Sequence, residues 1–199
     1  QNLMNLRVDE QVLNRLLPAT VGLCGDLGNV LPALIEGLDE QPDRSGWRAR
    51  LSEEKQRVAG IIEEAMAPQL GWLMAIRNAL PEDGIFVDEL TQIGYVSRFT
   101  FPSYRPRTFL STGYQGTLGY GIATALGAAH ARPDVPVVSI AGDGGAMFTI
   151  AELATAAHHH IALNVIVMND NAFGNVKGMQ RDRYDARYIA SDLTSPDFC

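Results

Sequence analysis

Short apolar runs that stop at glycine and acidic residues alternate with a segment of helical character in the second half of the chain. Val135-Pro-Val-Val-Ser-Ile-Ala141 is rich in β-branched residues and runs into Gly142-Asp143-Gly144-Gly145. A helix-like stretch follows, and a second apolar run, Leu163-Asn-Val-Ile-Val-Met168, ends at Asn169-Asp170-Asn171. Strand, helix and strand in that order predict a right-handed βαβ unit with parallel strands. Asp143 and Asp170 then fall just past two strand C-termini on one sheet edge, where open α/β sheets bind their ligands. Thr149 and Glu152 have the spacing of a capping box and predict where the intervening helix begins. Its N-terminus would direct partial positive charge toward the glycine turn.

Glycines flanking a carboxylate allow close backbone approach and expose N–H groups. Such a turn suits a phosphate group held through a hard cation. A lone Gly-Asp-Gly is common as a tight turn, so the weight rests on its pairing with Asp170 and on a glycine-rich segment upstream, residues 110–129. The segment after Gly121 is almost all Ala and Gly on one side, which predicts a helix against which another backbone packs closely. His158, His159 and His160 point in different directions on a helix and are read as a solvated helix end, not a metal site. Arg105 and Arg107 are read as surface charges. Met147 and Phe148 are expected to pack beneath the Gly142–Gly145 turn, and Glu152 is read as a cap and not as a catalytic acid.

Taken together, Gly142-Asp143-Gly144 and the later Asn169-Asp170-Asn171 resemble the signature of thiamine diphosphate-dependent enzymes, especially the acetolactate synthase, pyruvate decarboxylase and benzoylformate decarboxylase group. The resemblance implies an α/β fold: a doubly wound, mainly parallel sheet with helices on both faces, incomplete at both ends. It implies thiamine diphosphate and Mg2+ as cofactors, the metal held by Asp143, Asp170 and the main-chain carbonyl of Ala172. The family usually has Asn where this chain has Asp170. The added negative charge beside a diphosphate must be offset by the cation and nearby donors; a shifted register would bring in Asn169 or Asn171 instead.

The stretch over 110–129 resembles the family's glycine segment, in which a bulky apolar residue wedges beneath the cofactor and keeps its two rings folded together. Leu118 occupies that position, and Gly116 precedes it. Val87-Asp-Glu-Leu-Thr-Gln92 would end another parallel strand at the same edge, with Thr91 and Gln92 facing the site. The cofactor-binding set implied is therefore Thr91, Gln92, Gly116, Leu118, Gly142, Asp143, Gly144, Gly145, Asp170, Ala172, Phe173, Gly174 and Asn175. Residues 1–38, with Val8-Asp9 and Val21-Gly-Leu-Cys-Gly-Asp26 before an apolar helix, resemble the tail of the family's central domain. Residues 39–59, charged and holding Pro42 and Gly46, read as a linker. Residues 60–199 resemble the diphosphate- and Mg-binding domain, truncated at its C-terminal side.

Composition narrows the partners. The 199-residue chain has 46% hydrophobic residues, a net charge of −7 and a pI near 5.0, which argues against nucleic acid or anionic membrane. No apolar run approaches a membrane span. Cys24 and Cys199 make no disulfide framework, and a cytoplasmic setting is expected. A dehydrogenase would need Gly-x-Gly-x-x-Gly after its first strand, whereas Gly116, Gly119 and Gly121 come in another order. An aspartyl phosphatase would need a paired-aspartate motif after an early strand, and none is present.

The function that the resemblance implies is acetolactate synthase-like decarboxylation and carboligation of 2-oxo acids. A simple 2-oxo acid decarboxylase and a non-catalytic cofactor-binding or subunit-interaction domain are the alternatives. The family's activating glutamate lies in a pyrimidine-binding domain, usually that of a neighbouring subunit. No catalytic residue is therefore assigned here, and a homodimer or homotetramer is expected.

Overall fold

The computed structural model describes residues 3–38 and 43–198, and the chain divides into two compact units, 1–56 and 57–199. In the first unit, β1 (Met4–Arg7) pairs in parallel with β2 (Val21–Cys24), and α1 (Leu27–Glu36) follows. Asp26 caps that helix by accepting the Gly28 N–H at 2.8 Å. A long helix, α2 (Ser45–Ala79), crosses the division and kinks at Met66 (φ −136°, ψ 24°), two residues before Pro68. The proline ring clashes with the carbonyl four residues back and removes one helical N–H, which accounts for the kink. The linker expected over 39–59 is thus helical from Ser45 onward, and residues 39–42 lie outside the described residues.

The second unit is built on a four-stranded, all-parallel sheet in the order β4-β3-β5-β6. Its strands are β3 (Ile85–Val87), β4 (Phe109–Leu110), β5 (Val137–Gly142) and β6 (Asn164–Met168). Side chains alternate between the two faces, and both faces are covered by helices, as a parallel sheet requires. Phe86 and Ile140 pack with Leu73 and Ile76 of α2 and with Ile93 and Val96 of α3 (Gln92–Thr100). Ile85, Val87 and Val137 point the other way, onto Ala125 and Ala129 of α4 (Tyr120–Ala131). Small residues let α4 lie close. A Cβ on Gly121 would come within 2.9 Å of both the Ile140 carbonyl and the Ser139 hydroxyl.

The helix between β5 and β6 departs from expectation. α5 (Asp143–Thr149) starts directly at the strand end with Gly142 as its cap residue, breaks at Ile150–Ala151, and resumes as α6 (Glu152–His158). Thr149 and Glu152 form no capping box. The Thr149 hydroxyl donates to the Gly119 carbonyl at 3.0 Å, and Glu152 accepts from the Thr155 hydroxyl at 2.9 Å. A tertiary acceptor thirty residues away has displaced the local cap. Met147 and Phe148 are also corrected. α5 buries Asp143, Gly144, Gly145 and Ala146, leaving Met147 48% and Phe148 65% exposed. His158 to His160 do form an exposed helix end, and Arg105 makes an exposed ion pair with Glu82. Among the described residues no helix is long and apolar enough to cross a membrane. A last helix, α7 (Gly174–Arg183), follows β6.

Candidate functional site

Strand register brings the two carboxylates together. β5 and β6 pair in parallel with Gly142 opposite Met168, the final residue of each strand. Asp143 is therefore one residue, and Asp170 two residues, beyond a matched pair of strand ends. Asp143 is 1% exposed, and its Oδ2 accepts a hydrogen bond from Ser195 Oγ at 2.6 Å. Asp170 closes an Asx turn by accepting the Ala172 N–H at 3.2 Å, while Asn169 accepts that of Asn171 at 3.2 Å. Residues 191–193 pin the turn, the Phe173 N–H donating to the Ser191 carbonyl and the Leu193 N–H to that of Asn171, each at 2.8 Å.

Desolvation, then the negative charge of Asp143, raises the Asp170 carboxyl above the ordinary aspartate range, against the pull of the Ala172 N–H. A second carboxylate close enough to do this marks a place where a cation would be welcome. No group of three or more His, Cys, Asp or Glu side chains suited to a metal exists among the described residues. An ion here would draw the rest of its oxygens from main chain, ligand and water, as Mg2+ commonly does.

A cavity of about 320 Å³ opens over this floor. Of the residues predicted from sequence, Thr91, Gln92, Leu118, Gly142, Asp143, Gly144, Gly145, Asp170, Ala172, Phe173, Gly174 and Asn175 all line it. Gly116 does not. It takes a left-handed turn (φ 60°) behind Leu90, a cavity residue whose side chain a Cβ on Gly116 would meet at 3.6 Å. Close contacts favour glycine at several of these positions: a Cβ on Gly144 would meet the Phe173 ring at 2.6 Å, one on Gly145 Glu89 Oε1 at 2.1 Å, and one on Gly174 Asp170 Oδ2 at 2.5 Å. Thr91 caps α3 by accepting the Gly94 N–H at 2.9 Å, so its position is set by the helix start. Asn175 Nδ2 donates to the Tyr95 hydroxyl at 3.3 Å and joins α7 to α3.

Sequence reasoning missed two supporting side chains and several cavity residues, among them Leu90, Ile93, Tyr95 and Met168. Ser195, which carried no signal in the sequence, holds Asp143. Glu89 was not singled out at all. It is fully buried, its Oε1 accepting the Gly119 N–H at 2.7 Å and its Oε2 the Gly121 N–H at 3.0 Å. Burial raises its carboxyl above the ordinary glutamate range; the two N–H groups oppose that shift, and neighbouring Asp88 adds to it. Asp88 is itself buried, with Oδ2 bound by Arg98 Nε at 3.0 Å and Ser111 Oγ at 3.1 Å. The one signal for Glu89 was its place at a strand end beside Thr91.

Residues 91–199 match the family described as thiamine pyrophosphate enzyme, C-terminal TPP binding domain. Among curated proteins, the chain is 29% identical to the acetolactate synthase isozyme 1 large subunit of Escherichia coli, over 95% of this chain and 34% of that protein. It is 32% identical to an acetolactate synthase large subunit of Parasynechococcus marenigrum, over 98% of this chain and 32% of that protein. It is 33% identical to a probable 2-ketoarginine decarboxylase of Pseudomonas aeruginosa, over 88% and 32% respectively. The chain thus spans about a third of the length of the curated relatives it matches. A parallel sheet whose strand ends gather paired aspartates and glycines over a cavity, together with the match over 91–199, places the chain in the thiamine pyrophosphate enzyme family, as its C-terminal cofactor-binding domain with thiamine diphosphate as cofactor.

Proposed function

We propose that this chain holds the diphosphate end of thiamine diphosphate through Mg2+, within a larger enzyme that decarboxylates a 2-oxo acid and joins the product to a second carbonyl compound. The convergence of Asp143 and Asp170 on the floor of one glycine-lined cavity carries this reading. The residues fit the group: two carboxylates whose mutual repulsion a cation would relieve, with glycines at the strand ends lining the cavity. Asp143, Asp170 and the Ala172 carbonyl would hold the metal. The start of α4 is not free to serve an anion, because Glu89 already occupies the Gly119 and Gly121 N–H groups.

When bound, thiamine diphosphate supplies the electron sink for decarboxylation. This chain's own part is to bind, orient and exclude water. Leu118 on the cavity wall would support the ring end, and the Tyr95–Asn175 hydrogen bond would brace the wall where α3 meets α7. Glu89 cannot act as the activating glutamate: both its oxygens are engaged and it does not line the cavity. That group is assigned to the pyrimidine-binding domain of a neighbouring subunit, in a homodimer or homotetramer. The acetolactate synthase relatives favour carboligation; the 2-ketoarginine decarboxylase relative supports simple decarboxylation as a second reading.

Carbon dioxide release from pyruvate and a panel of other 2-oxo acids, with thiamine diphosphate and Mg2+, tests the proposal. The full-length protein should turn over, and acetolactate formed from pyruvate separates carboligation from simple decarboxylation. The 199-residue chain alone should not turn over, because the activating group, and the domain that would cover the ring end, are assigned above to a neighbouring subunit. Turnover by the isolated chain at a comparable rate would place that machinery within these residues. For Leu118→Ala in the full-length protein, turnover should fall about tenfold with cofactor affinity nearly unchanged, since misplacement of reacting groups costs rate before binding. Leu118→Met should be mild because volume is conserved. Unchanged turnover in Leu118→Ala would reduce this residue to ordinary packing.

A further inference from the structure

Three backbone segments meet at the Glu89 carboxylate, which the cofactor reading leaves unexplained. Glu89 follows β3 by two residues and is fully buried. Its two oxygens take the N–H groups of Gly119 and Gly121 at 2.7 and 3.0 Å. Those are donors at the start of α4, where helical partners are lacking and a negative charge is favoured. The first turn of α5 presses on the same group, since a Cβ on Gly145 would stand 2.1 Å from Oε1. Gly119 is also held from its carbonyl side by the Thr149 hydroxyl at 3.0 Å. Its left-handed φ of 81° is one that glycine adopts freely, and a Cβ there would meet Phe148 Cβ at 2.8 Å.

Leu118, immediately before Gly119, and Gly142 to Gly145 all line the cavity. We infer that Glu89 is a positioning residue: its bidentate carboxylate locks the Gly119–Gly121 turn against the first turn of α5 and thereby sets where Leu118 stands in the cavity wall. A charge-assisted, two-pronged acceptor is stiffer than any single neutral hydrogen bond at this place. The consequence for turnover rests on the cofactor reading above; the lock itself does not.

Glu89→Gln in the full-length protein is the first test, because the amide keeps the shape but turns one acceptor into a donor facing an N–H. Amide hydrogen exchange, followed without cofactor, should accelerate about tenfold or more at Gly119 and Gly121, the scale of losing a charge-assisted bond, with the β6 amides unchanged. With cofactor and substrate, turnover should fall by about tenfold while KM and cofactor affinity move little, the pattern of a displaced wall and not of a lost ligand. Gly145→Ala, which pushes on Oε1 from the other side, should reproduce the local exchange change if Glu89→Gln fails to fold. Unchanged protection at Gly119 and Gly121 in a folded variant would overturn the lock. Unchanged turnover alongside accelerated exchange would overturn the positioning role. Failure of the cofactor reading would show separately, as a wild-type protein that protects both amides yet binds no thiamine diphosphate.

Discussion

Asp143→Ala in the full-length protein is expected to abolish Mg2+-dependent binding of thiamine diphosphate, whereas Asp170→Asn keeps it within about tenfold of wild type, the scale of a ligand charge traded for a neutral oxygen. Asp143 is the buried member of the pair, anchored by Ser195 and placed as the first residue of α5. Removing it takes away a charged oxygen at a point that solvent cannot readily refill. The loss should exceed the roughly 10–100-fold that deletion of a mere outer-shell partner costs at metal sites. Asp170 stands at the exposed end of its turn, where an amide oxygen retains a donor to the cation and removes the repulsion that raises its carboxyl. Cofactor titration with and without Mg2+ measures both effects. Circular dichroism should show Asp143→Ala folded, since the change removes one of two mutually repelling charges. Wild-type affinity in that variant would end the metal assignment.

Gly94→Ala is expected to be the most destabilising small substitution in the second unit. An added Cβ would sit 1.8 Å from the backbone carbonyl oxygen of Glu89, an atom with no side-chain freedom to retreat. That same carbonyl accepts the Thr91 N–H at 2.8 Å, and the Gly94 N–H caps onto Thr91 Oγ1 at 2.9 Å. Relief of the clash therefore means pulling α3 off the end of β3 and breaking its cap. The cost should reach the top of the ~1–3 kcal/mol range of overpacked interiors, or pass it. Gly127→Ala, at an α4 position with nothing within 4 Å of the added methyl, should instead stabilise by about 0.4–1 kcal/mol. Denaturant midpoints of the three proteins in one background decide the matter. Equal midpoints for Gly94→Ala and wild type would show that the α3 start yields more easily than its contacts indicate.

Val137–Gly142 and Asn164–Met168 are strands within a residue or two of the apolar runs that announced them. A β-branched run that is buried on both faces has little else it can become. Asp143 and Asp170 followed from those strand ends. Thr149 and Glu152, by contrast, carried a correct local pattern with the wrong outcome. Nothing near them in sequence reveals that the Gly119 carbonyl will arrive to take the Thr149 hydroxyl. Met147 and Phe148 were misplaced for a related reason. Once the helix began at Asp143 rather than later, its phase turned those two side chains outward.

The sequence by itself determined the strands, the parallel order of the βαβ unit and the two aspartates at its edge, because each rests on contacts between near neighbours or on a period the chain displays openly. Tertiary structure alone decided that Ser195 would hold Asp143, that Leu90 and not Gly116 would line the cavity, and that Glu89 would spend its charge on two glycine N–H groups thirty and more residues downstream. A buried carboxylate accepts whatever donors the fold delivers to it, and which donors those are depends on how α4 and α5 pack over β3 and β5. That arrangement is a property of the assembled layers, and no local stretch of the chain encodes it.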